Sequence, residues 1–304
     1  MNGPASSPSV RRFEFVTVDV FTKQRFGGNP LAVFPHAEGL SDAEMQALAA
    51  ELNLSETTFV LAPTSAGNTA RLRIFNRTAE MPFAGHPNVG TGFVLARRNP
   101  ELGDVLRFEE QAGLVEVRPA RSETGEVTGA EIDAPQPLQL LGVMPLVGIA
   151  ACIGLGASEV RTAAHPPLRA TMGVDFVIVE VAAQALSRAA PSLAAFQQLA
   201  EAEGLADGRL SILLYAHTDA GIRSRMFAPL AGTWEDPATG SANAILCALL
   251  LSLGQDRRLE CEVMQGVEMG RPSHLRLASW RSDAGIRASV GGDCVEMFRG
   301  EATL

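Results

Sequence analysis

Three segments of this 304-residue chain carry side chains able to move a proton or hold an anion. Glu56 stands in NLSETTFV, between a helical pattern and an apolar strand pattern, which sets its carboxylate at the edge of a buried layer. Burial raises a carboxylate pKa toward the range useful for general acid/base work; the bland alternative for Glu56 is a cap or an ion-pair partner. His86 follows Gly85 directly, where a loop enters an apolar run. A helix N-terminus lowers a histidine pKa and favours the neutral ring, so His86 is a donor to a substrate oxygen, a proton carrier, or a helix-start residue without a chemical role. Asp236 and Ser241 flank Gly240 at a second such junction, and Asp and Ser are also ordinary N-cap residues.

Gly85 and Gly240 each sit where free backbone N–H groups and the helix dipole together bind an anion. One such glycine is most simply a tight turn. Two of them gain meaning from a repeat: EMPFAGHPN at Glu80 to Asn88 aligns with EDPATGSAN at Glu235 to Asn243 in a shared E-x-P-x-x-G-x-x-N frame, 155 residues apart. Duplication brings both N-termini to one cleft, where they clamp a carboxylate-bearing ligand from two sides.

The elements that must position these groups are legible in outline. Arg12 to Val20 alternates as a strand with one face on the core, and Gly27 to Pro30 breaks it. Ser41 and Glu44 have capping-box spacing ahead of a helical Met45, Leu48, Ala49, Leu52 series. Thr57 to Ala62 and Ala70 to Phe75 read as strands, and the runs after Gly85 and Gly240 as central helices enclosed by other structure. LECEVMQG, HLRLAS, GIRASV and DCVEMFRG read as short strands separated by turns. Strands outnumber helices, which favours an α+β fold with mixed or antiparallel sheets. The boundary is expected near APQPLQLLG, giving domains over 12–134 and 135–304, with the last strand free to return to the first.

Bulk properties narrow the function. A net charge of −9 and a pI near 5.2 argue against a general nucleic-acid binder. Cys152, Cys247, Cys261 and Cys294 show no CxxC pair, and His36, His86, His165, His217 and His274 lack HxxxH or HxH spacing, so no metal site is expected. GHPNVGT lacks the lysine of a phosphate loop and no GxGxxG follows the first strand, so no nucleotide cofactor is indicated. MNGPASSPSVRR reads as a frayed tail rather than a signal peptide, which suits a cytoplasmic protein. Leu140 to Ala157 is uncharged over a membrane-span length, but Pro145 and four glycines favour a buried linker and helix, or a self-association surface.

NLSETTFVL, RIFNRTAEMPFAGHPNVGT, SRMFAPLAGTWEDPATGSA and QGVEMGRPS, in this order, resemble the phenazine-biosynthesis isomerase family from about Phe15 to the C-terminus. The resemblance implies a diaminopimelate-epimerase-like fold, two similar pseudo-twofold-related domains each wrapped around a central helix, a cleft between them, and a homodimer. It implies a cofactor-free isomerase acting on a small anionic substrate such as trans-2,3-dihydro-3-hydroxyanthranilate. Glu56 would be the acid/base, His86 and Asp236 its catalytic companions, and Gly85, Gly240, Ser241, Thr239 and Asn29 the substrate-binding positions.

Racemases and epimerases on this fold use two cysteines immediately before the paired glycines, where this chain has Ala84 and Thr239. A one-base epimerase, a dehydratase, or a non-catalytic binding relative are the alternatives. Asn76 and Arg77 stand where Thr-Pro is the family pattern, and Asn88 is unusual after AGHP; all three bear on the substrate. The apolar segment Leu140 to Ala157 is a further departure, expected at an oligomer interface.

Overall fold

A computed structural model describes residues 10–205 and 210–304. The N-terminal tail expected from the sequence lies largely outside the described residues.

Two helices form the centre, Gly85–Arg98 and Gly240–Leu253, each nearly devoid of exposed positions. Both are too apolar to lie on a surface, and strands enclose them. Arg12–Val20, Asn29–Phe34, Glu56–Leu61, Gly113–Arg121 and Val127–Asp133 pack on the first, while Asp175–Val181, Arg258–Gln265 and Ser273–Ser282 pack on the second. The strands are hydrogen-bonded into one continuous mixed sheet. Parallel pairs are few, among them Leu31 opposite Glu56 and Ile222 opposite Val263.

The strand Gly285–Thr303 binds the halves together. Its first part pairs with Ser273–Ser282 and Val127–Asp133, and its last part with Arg12–Val20. The sequence suggested two strands here with a break at Gly291 and Gly292; instead the backbone runs straight through. These glycines serve close approach rather than turning: a Cβ on Gly291 would lie 2.9 Å from the Cβ of Glu131, and one on Gly292 would lie 2.5 Å from Cδ1 of Phe21.

Outer layers cover the sheet on each half. The helix Asp42–Leu52, with the Ser41–Glu44 capping box formed as the spacing requires, packs Met45 and Ala49 on Phe34, Phe59 and Phe75. Phe34 and Phe59 stack at 4.9 Å, and Phe75 meets Phe59 edge-on. Arg12–Val20 therefore has both faces covered, Phe13 on this layer and Val16, Val18 and Val20 on the central core, with a register shift after Thr17. In the other half the helices Leu146–Cys152 and Leu193–Ala202 cover a second outer cluster.

The uncharged stretch from Leu140 divides in two. Helix Leu146–Cys152 buries Ile149, Ala150 and Cys152, but Gln139–Val143 is an exposed strand, with Val143 at 63% and Leu140 at 54% exposure. The buried linker expected there is thus a partly uncovered sheet edge, because Gln139–Val143 pairs on one side only, with Leu168–Thr171. No helix among the described residues is long and apolar enough to cross a membrane.

Candidate active site

The duplicated motif builds the site twice from the same parts. Arg73 clamps Glu80 through two hydrogen bonds, Nε at 2.7 Å and Nη2 at 2.6 Å. Arg225 clamps Glu235 in the same way, both at 2.8 Å. Within the helices, Asn88 Nδ2 donates to the Ala84 carbonyl at 3.0 Å and Asn243 Nδ2 to the Thr239 carbonyl at 2.9 Å. Asn88, an outlier in the sequence pattern, is therefore half of a symmetric pair that fixes the first turn of each helix.

The two helix starts meet. Ala84 and Thr239 are the N-cap residues, and neither makes a side-chain cap hydrogen bond. Uncapped first turns leave backbone N–H groups for another acceptor. An added Cβ on Gly85 would stand 3.5 Å from the Ser241 nitrogen and 3.8 Å from the Gly240 Cα. The opposite side of Gly240 is closed by Phe21, a buried residue held at φ +66°, whose ring tip would lie 3.3 Å from a Cβ there.

Glu56 opens the strand Glu56–Leu61, and His86 is the second residue of the first central helix. Glu56 Oε2 and His86 Nε2 approach to 3.3 Å without hydrogen-bond geometry, and both atoms are buried and otherwise unpartnered. Burial, reinforced by the nearby Asp236 and opposed by Arg77, pushes the Glu56 carboxyl up to about 8. Burial drives the His86 ring down to about 3, against a hydrogen bond to the Pro30 carbonyl. A protonated carboxyl beside a neutral imidazole is an uncharged pair, which is why burial tolerates it.

Asp236 ends the strand Thr233–Asp236 and is raised to about 6 by burial, despite hydrogen bonds from Thr239 and Asn29. Asn29 Nδ2 donates to Asp236 Oδ1 at 2.9 Å and to the Ala238 carbonyl at 3.0 Å, while its Oδ1 accepts from Ser55 at 2.8 Å. Both ends of the Asn29 side chain are occupied within the protein. Thr239 donates its hydroxyl to Asp236 Oδ2. These two residues hold Asp236, and Ser241 and Gly85 line a small, mostly apolar recess with Phe83, Met172, Ile245 and Val290.

Gln265, quoted in the motif QGVEMGRPS but given no role there, is the hub of the second half. Its Nε2 donates to the Asp236 carbonyl at 2.7 Å, and its Oε1 accepts from Thr239 N at 3.1 Å and Asn243 Nδ2 at 2.6 Å. It is fully buried. Its position at the end of a strand, remote in sequence from the residues it holds, left no local signal.

The phenazine biosynthesis-like protein family model matches residues 18–300. The chain is 35% identical to the trans-2,3-dihydro-3-hydroxyanthranilate isomerase of Pseudomonas chlororaphis, over 95% of this chain and 99% of the relative. The chain belongs to the phenazine biosynthesis-like family. Its fold is that of a Bacillus anthracis phenazine biosynthesis protein of the PhzF family, with a TM-score of 0.85 at 24% identity over 97% of this chain and all of the other. A hydroxyproline epimerase from Agrobacterium vitis shares the architecture more distantly, with a TM-score of 0.64 at 11% identity, covering 97% of this chain and 93% of the other. The diaminopimelate-epimerase-like α+β fold expected of the phenazine biosynthesis-like family is the fold observed.

Proposed function

We propose that this chain is a cofactor-independent isomerase that moves a proton between carbons of a small anionic substrate such as trans-2,3-dihydro-3-hydroxyanthranilate. The observation that carries the reading is the pair of unpartnered buried atoms, Glu56 Oε2 and His86 Nε2, 3.3 Å apart beside two converging uncapped helix starts. Buried polar groups without partners in the protein are arranged for a partner from outside it.

In this reading the backbone N–H groups of the helix starts and Ser241 hold the substrate carboxylate. Glu56, once ionised, removes a carbon-bound proton and returns it to another carbon. A single group can do both because its pKa lies near working pH, where acid and base forms are each accessible. Neutral His86 meets the charge that develops on the substrate, and the two dipoles add fixed donors in a water-poor cleft. Asp236, held by Asn29 and Thr239, keeps the Glu56 proton available by repelling its anion.

A cysteine-pair racemase has no base here, since Ala84 and Thr239 occupy the two positions. We further infer a cytoplasmic homodimer, its interface including the exposed strand Gln139–Val143.

The test is incubation with dihydrohydroxyanthranilate in deuterated water, wild type beside Glu56→Gln, following the ultraviolet spectrum and deuterium incorporation. Conversion with deuterium uptake, abolished in the variant, supports the reading. Absence of conversion by wild type removes this substrate, and undiminished conversion by the variant removes Glu56 as the base.

A further inference from the structure

Arg77 crosses between the two halves to touch its own counterpart in the repeat. Its Nη2 donates to the Gly232 carbonyl at 3.2 Å, and the two residues stand 155 apart, the offset that relates Gly85 to Gly240. The halves are therefore bridged at two separate points, one where the helix starts meet and one where this guanidinium reaches over.

The turn that carries Arg77 is built to hold it there. Asn76 Oδ1 accepts from the Thr78 and Ala79 N–H groups, both at 2.8 Å, and the Asn76 carbonyl accepts from Gln46 Nε2 at 2.9 Å. An asparagine that bonds its side chain to the backbone two residues on fixes the turn by itself. Register sets this turn beside Glu56. Thr57 lies opposite Phe75, so the next step of that pairing puts Glu56 against Asn76, with Arg77 immediately after. The Arg77 charge reaches the Glu56 carboxyl, whose rise it opposes.

What the guanidinium lacks is an anion. Arg73, Arg223, Arg225 and Arg271 are each paired with a carboxylate. Half-buried Arg77 forms no ion pair among the described residues, and its one side-chain hydrogen bond there goes to a neutral carbonyl. A guanidinium carries five N–H donors in a fork that matches a carboxylate. Room for one is present, since a Cβ added to Gly232 would meet nothing within 4 Å. An anionic substrate must also enter a cleft that already holds Asp236, and a cation offsets that repulsion.

We propose that Arg77 is a substrate-binding residue that takes a second anionic group. The substrate of this chain is then a small dianion, in the simplest case a dicarboxylate, with one carboxylate at the helix starts and Ser241 and the other at Arg77. The inference rests on the reading of the helix starts as a carboxylate site and narrows the substrate class within it. The Thr-Pro of the family pattern offers no cation here. Dihydrohydroxyanthranilate, with one carboxylate, would fill the first position and leave Arg77 unmatched.

The test is titration calorimetry near neutral pH with benzoate and its three dicarboxylate counterparts, phthalate, isophthalate and terephthalate, and it needs no turnover. Wild type should bind at least one dicarboxylate roughly tenfold more tightly than benzoate, as one charge-assisted contact provides. Arg77→Gln should lose that preference while its benzoate affinity and unfolding midpoint stay at wild-type values. Arg77→Lys, which keeps the charge but not the fork, should retain part of it. Ser241→Ala should weaken benzoate and the dicarboxylate alike, which reports on the helix-start site separately. Benzoate binding without a dicarboxylate preference in wild type, or a preference that survives in Arg77→Gln, overturns the proposal and leaves the helix-start site standing. Binding of none of the four by wild type removes both.

Discussion

Gly85 faces Ser241 across the junction of the two central helices so closely that a Cβ on Gly85 would lie 3.5 Å from the Ser241 nitrogen. That is ordinary van der Waals contact, so Gly85→Ala fits without displacing backbone. The methyl group would nevertheless occupy the space in front of the helix N–H groups. Unfolding should be nearly unchanged, while kcat/KM for the substrate falls on the order of 10- to 100-fold. Calorimetry and steady-state kinetics on the same preparation separate the two effects; a stability loss that accounts for the lost activity would contradict the assignment.

Glu56→Gln keeps the shape of the buried carboxyl and removes its proton chemistry. Loss of the acid/base is expected to lower kcat by roughly 10²- to 10⁴-fold. The variant should retain affinity for a non-reactive carboxylate analogue, measurable by titration calorimetry.

The acid limb of kcat/KM should follow the ionisation of Glu56, held up to about 8 by burial and Asp236. Only the ionised form accepts a proton from carbon, so activity rises with pH and levels off above that value. His86, driven down to about 3, is neutral throughout and adds no limb near 6 or 7. An acid limb near 4.5 would show that Glu56 is solvated in the working enzyme.

Stability has the opposite pH trend. Glu56 binds its proton more tightly folded than unfolded, so the native state holds more protons between about 4.5 and 8 and loses stability as pH rises through that window. Asp236, raised to about 6, adds to the decline at its lower end. In Glu56→Gln the decline should be visibly shallower, which denaturant titrations at pH 5 and pH 8.5 would show.

Gln265→Leu removes one side chain and strands the Asp236 carbonyl, the Thr239 N–H and the Asn243 amide in a buried layer. Unpaired buried polar groups cost about 1–3 kcal/mol each, so a loss of roughly 3 kcal/mol is expected, together with a drop in kcat from the misplaced Asp236. Urea unfolding monitored by tryptophan fluorescence measures the first and progress curves the second.

The sequence by itself determined the parts whose signals are local or duplicated. The capping box at Ser41 and Glu44, the two apolar helices, and the repeat of Glu80 to Asn88 in Glu235 to Asn243 each depend on spacing alone, and spacing survives in one dimension. Glu56, His86 and Asp236 stood out because their types flank those features. What only the tertiary structure decided was which distant atoms share a buried layer. Gly291 and Gly292 look like a turn until Glu131 and Phe21 are seen pressed against them. Asn29 looked free to meet substrate, yet both ends of its side chain are bonded inside the protein. Gln265 carries no local mark of the residues it holds. Its role follows from a strand end reaching the second helix start, because hydrogen bonds between residues far apart in the chain are set by packing rather than by sequence spacing.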